Sequence, residues 1–136
     1  MTVAASVALL AVRIVYGLTF AGHGTQKLFG WFGGHGLAGT AGFMETIGLK
    51  PGKIMAALAG LGELAGGVLF AAGLLTPVAA FLIIGTMIVA IVTVTGRKGY
   101  WVTAGGSEYN IAIIVVAAAV AMIGPGAYAI DTLLFR

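Results

Sequence analysis

Cysteine is absent from this chain of 136 residues. Disulfides, thiol exchange and thiolate metal ligation within the chain are excluded with it, although work beside a thiol-bearing partner is not. Charge is scarce. Asp, Glu, Lys and Arg make up 8% of the residues, where soluble domains carry about 25%. There are two histidines, and no His-x-x-Glu or Glu-x-x-His pair, so no metal is expected. The glycine-rich stretch after Phe29 lacks the Gly-Lys-Ser/Thr ending of a phosphate cradle. The net charge of +3 rests on few groups, which leaves nucleic acid a poor partner.

Hydrophobic residues fill what charge leaves empty, at 60% of the chain, with a mean hydropathy of +1.11. A soluble fold of this length could not hide so much apolar surface, because too little of a small domain lies inside. Lipid removes the conflict, and one bundle spanning residues 1–136 is the expected organisation. Four apolar segments run roughly over 3–28, 54–75, 77–95 and 108–123. A span needs about 20 residues. The fourth is short because Gly124-Pro125-Gly126 stops it; if it still spans, its polar start must sit low in the membrane. The fold class is thus all-α, an integral membrane four-helix bundle. No basic n-region precedes the first apolar run and Arg13 interrupts it, so it reads as a retained helix and not a signal peptide.

The first long connection holds Trp31 and Phe32, suited to headgroup depth, and then a short interfacial helix. Thr40 is expected to cap that helix and Gly48 to end it, with Phe43, Met44 and Ile47 facing lipid. Lys27, Lys50, Lys53, Arg97 and Lys98 lie on the side of the long connections, and Arg136 on the side of the termini. The positive-inside rule then places the long connections in the cytoplasm and both termini outside, in a bacterial inner membrane.

Charges inside apolar runs need partners. Arg13 shares one helical face with Tyr16, Phe20, His23 and Lys27. Glu63 lies mid-way along the second segment among glycines. Counting helix rise from the long-connection side puts Glu63 about 15 Å deep and Arg13 about 21 Å deep, a difference an arginine can span. An Arg13–Glu63 pair is therefore expected. Segment four starts near His23 and Lys27, which suggests a second polar layer of His23, Gln26, Lys27, Glu108 and Asn110 below Trp31. Intramembrane ionisable groups mark sites by default, while a single pair can serve architecture alone.

The stretch Gly17…Phe20-Ala21-Gly22-His23-Gly24-Thr25-Gln26-Lys27-Leu28-Phe29-Gly30-Trp31-Phe32-Gly33-Gly34 resembles the signature of the DoxX family. Leu37 to Glu45, Gly62-Glu63-Leu64-Ala65-Gly66-Gly67, Gly73-Leu74-Leu75-Thr76, and Gly124-Pro125-Gly126 followed by Asp131 extend the resemblance over nearly the whole chain. The family implies a four-helix bacterial membrane protein, with relatives that include a membrane subunit of a thiosulfate:quinone oxidoreductase. The leading expectation is a quinone-interacting subunit of a redox system. His23, Gln26, Lys27 and Tyr16 would donate to the headgroup, and Phe20, Phe29, Trp31 and Phe70 would wall its ring. Glu63, Glu108 and His23 would relay protons, with Arg13 and Asn110 completing the polar layers. No motif for an electron-carrying cofactor is present, so a partner redox protein would supply electrons. The alternatives are a non-enzymatic scaffold that recognises partner helices, and a small-solute or lipid carrier working as a homo-oligomer.

Overall fold

A computed structural model describes residues 1–135. Arg136, counted above in the charge asymmetry, lies outside the described residues. Among the described residues six α-helices follow one another: α1 (Val3–Phe29), α2 (Gly36–Thr46), α3 (Gly52–Ala72), α4 (Thr76–Thr93), α5 (Glu108–Ile123) and α6 (Ile130–Leu134). The protein is an all-α membrane bundle. Helices α1, α3 and α4 are each long and apolar enough to cross a membrane, and α5 is a shorter apolar helix. Large apolar side chains point outward, with Phe81 75% and Met122 86% exposed, an arrangement suited to lipid.

The α1–α3 contact sets the level of everything else. A Cβ on Gly17 would lie 2.6 Å from the Gly67 carbonyl, and one on Gly24 2.6 Å from the Gly60 carbonyl. The two antiparallel backbones therefore touch at two levels, two turns apart, where only glycine fits. Helix α3 packs on α4 and α4 on α5, and Phe20, Phe70, Ile83, Met87, Ile113 and Val120 fill the centre. The α3–α4 turn is a Schellman motif: Gly73, at φ 64°, donates to Phe70 O, and Leu74 N–H reaches Leu69 O.

Helix α5 starts inside the level at which α4 ends, as one contact shows. The Asn110 amide lies 3.4 Å from Met87 Sδ. By helix rise, Met87 is about 9 Å inside the end of α4, while Asn110 is about 3 Å inside the start of α5.

Helix α2 differs in detail from expectation. It starts at Gly36, so Thr40 is internal and buried, and its hydroxyl donates to Lys27 O (3.3 Å) instead of capping. Met44 is buried, whereas Phe43 is 51% exposed. The helix lies against the α1–α3 hairpin, which claims one apolar stripe and leaves the other outward. Gly48 does end it: Gly48 N–H donates to Glu45 O and Leu49 N–H to Met44 O.

Candidate functional site: an ion pair inside the bundle

Lys27 Nζ donates to both oxygens of Glu63, at 2.9 and 2.7 Å. The Glu63 side chain is 7% exposed and that of Lys27 28%. Gly60 makes room for the pair, since a Cβ there would sit 3.4 Å from Lys27 Cβ and collide with Leu28. Side-chain direction completes the geometry. Helical side chains lean toward their own N-terminus. On antiparallel α1 and α3, Lys27 leans inward and Glu63 leans outward, so they converge.

The same rule separates Arg13 from Glu63, and the expected pair between them does not form. Arg13 leans toward the termini, and the glycine register places it level with the α3–α4 turn. Its guanidinium, 1% exposed, donates to Pro125 O, to Tyr128 O (2.8 Å) and, weakly, to Ala71 O (3.5 Å). It thereby ties the chain after α5 to α1 and α3, and its Nε is buried without a hydrogen-bond partner among the described residues.

The expected second layer divides. His23 and Gln26 join at the Lys27 end: His23 Nδ1 and Gln26 Oε1 are 2.9 Å apart, and Gln26 Nε2 donates to Phe32 O (3.2 Å). A carbonyl only accepts, so Gln26 must present its amide nitrogen to Phe32 and its oxygen to His23. His23 therefore donates from Nδ1, which leaves Nε2 of a neutral ring as an acceptor. The loop that fixes Gln26 folds tightly over it. Phe32 adopts a left-handed φ of 52°, and a Cβ on Gly34 would lie 2.5 Å from Gln26 Cα. Trp31 is exposed and its ring lies tilted at 41° against that of Phe29, with centroids 5.2 Å apart.

Glu108 and Asn110 do not join that group among the described residues. Glu108 accepts from Val102 N–H (2.9 Å) and so closes its own loop, and Asn110 faces Met87. The reason is that α5 spends its first residues on the α4–α5 connection. Tyr16 and Phe20 lie deeper, lining with Phe70, Ile83 and Ile113 a cavity of about 10 Å³, room for about one water. No group of three His, Asp or Glu side chains gathers among the described residues.

A second polar centre at the termini end was missed. Asp131 accepts from Leu75 N–H (2.7 Å), Thr76 N–H (2.8 Å) and the Thr76 hydroxyl (2.7 Å). Burial alone would raise its pKa. The bonds from Thr76 and Leu75 and the charge of Arg13 outweigh burial and hold it below the ordinary carboxylate value. A signal existed: the residue preceding α4 is Leu75, which has no side-chain acceptor, so a cap had to come from elsewhere.

These features define a small helical membrane protein with a lysine–carboxylate pair and an oriented imidazole in one half of its bundle. The DoxX profile matches residues 8–96, and the chain belongs to the DoxX family. It is 31% identical over 127 residues, 93% of this chain and 87% of the relative, to a Bacillus subtilis (strain 168) protein named "Putative oxidoreductase CatD". No solved structure matches.

Proposed function

We propose that this chain is the membrane subunit of a redox system in a bacterial inner membrane, with its long connections in the cytoplasm. In this reading Lys27, Glu63, His23 and Gln26 receive the headgroup of a lipid-soluble quinone. The observation that carries it is the Lys27–Glu63 pair held inside the bundle, one helical turn from an imidazole whose Nδ1 is turned to Gln26. Family membership and the relative's name support the redox context. Lys27 is the more exposed member of the pair, and Phe29 and Trp31 are exposed at the same end of α1, which offers a ring apolar contact there and not in the filled core. Lys27 donates to a carbonyl oxygen, and His23 and Glu63 pass on the protons that reduction consumes. In this reading electrons come from a partner protein, because the sequence holds no motif for an electron-carrying cofactor.

A non-enzymatic scaffold is the second reading. The fact favouring it is that Lys27 already makes two bonds to Glu63, while the cavity at Tyr16 holds only about one water.

The test is quenching of Trp31 fluorescence by a short-chain quinone, in a Trp101→Phe background. Saturable quenching that weakens about tenfold in Lys27→Met and in His23→Ala supports the quinone site. Quenching unchanged in both variants, each still helical, sinks it.

A further inference from the structure

The α4–α5 connection holds Arg97 and Lys98 beside Tyr100 and Trp101, all four exposed. The two rings meet edge to face at 5.0 Å. The loop is locked by its own backbone. Ser107 N–H donates to Gly99 O (3.0 Å), Glu108 N–H to Tyr100 O (2.7 Å), and Gly106 N–H to Trp101 O (2.9 Å). A Cβ on Gly106 would lie 2.5 Å from Gly99 O, so the closure needs glycine. The Lys98 stem lies over Gly105, which has φ 77°.

The cations here lack counter-ions. Lys50, Lys53, Arg97 and Lys98 are exposed at one end of the bundle, and none is in an ion pair among the described residues. The carboxylates of that end turn to backbone instead of to these cations: Glu45 accepts from Gly52 N–H (3.4 Å) and Glu108 from Val102 N–H (2.9 Å). Exposed Trp and Tyr fix a segment at headgroup depth, which places the adjacent cations at the phosphates.

We infer that the Arg97–Trp101 loop is a preorganised binding surface for anionic phospholipid headgroups, supported by Lys50 and Lys53. Cation charge supplies the attraction. The indole supplies the depth, and a loop already ordered loses little freedom on binding. The surface is independent of the Lys27–Glu63 pair.

The experiment is native mass spectrometry of the full chain in micelles holding equal phosphatidylglycerol and phosphatidylcholine. Retained phosphatidylglycerol should exceed phosphatidylcholine. In Arg97→Gln/Lys98→Gln it should fall about tenfold, with helicity and phosphatidylcholine retention unchanged. Lys50→Gln/Lys53→Gln should lose less. Millimolar inorganic phosphate should not displace the lipid. Equal retention of the two lipids, retention indifferent to the loop variant, or displacement by free phosphate would each overturn the inference.

Discussion

Lys27 and Glu63 form a two-bond ion pair across the α1–α3 interface, at 2.9 and 2.7 Å. It exists because Gly60 admits the lysine stem and because the two side chains lean toward one another on antiparallel helices.

Lys27→Met strands the buried Glu63 carboxylate and should lower stability by about 3 kcal/mol. Glu63→Leu should cost less, because the Lys27 side chain is 28% exposed and can turn its ammonium outward. The double variant should recover most of that loss, since a well-packed apolar pair replaces a costly ionic one. Denaturant titration of the four proteins in detergent gives the cycle, and equal, additive losses would contradict it.

Arg13 should couple to the termini end and not to Glu63. Combining Arg13→Ala with Asp131→Ala should give a loss clearly different from the sum of the single ones. Combining Arg13→Ala with Glu63→Ala should be additive to within about 0.5 kcal/mol. Hydrogen exchange in Arg13→Ala should quicken over residues 124–135, which Arg13 holds through Pro125 and Tyr128.

Asp131 caps α4 from a distance, so its effect depends on pH. Its folded-state pKa is depressed, so the carboxylate stabilises the fold above its unfolded value, and that contribution disappears as pH falls through the folded value. Asp131→Asn should remove this acid-side loss of stability and lower stability at neutral pH by about 1 kcal/mol. Melting curves between neutrality and strong acid decide it.

The glycines should separate sharply. Gly67→Ala places a Cβ 2.4 Å from Gly17 O and should push α1 from α3, whereas Gly22→Ala meets nothing within 4 Å. Only the first should lower the thermal midpoint, and equal behaviour would contradict the close α1–α3 contact.

The helices were legible in the sequence because apolar runs and their breakers are local. A helix is expected over residues 108–123 and is found there, ended by Gly124, but at 16 residues it is shorter than the three helices long and apolar enough to cross a membrane. The pairing of charges was not legible from depth alone. Helix rise makes Arg13 and Glu63 near neighbours, but the Gly17/Gly67 and Gly24/Gly60 register and the lean of each side chain decide otherwise. His23 and Gln26 were gathered correctly, one turn apart on one helix. Glu108 was misplaced because its use in closing the α4–α5 loop depends on how that loop folds. Asp131 was missed because its partners, Leu75 and Thr76, lie more than fifty residues away in the chain.

The claim that matters most is that the Lys27–Glu63 region holds a quinone. Extraction of the purified protein, analysed for isoprenoid quinone by mass spectrometry, tests it directly. The account predicts near-stoichiometric quinone in the wild-type protein, lost in Lys27→Met and retained in Arg13→Lys. Absence of quinone from the wild-type protein, together with no response to added quinone, would contradict it and leave the scaffold reading in its place.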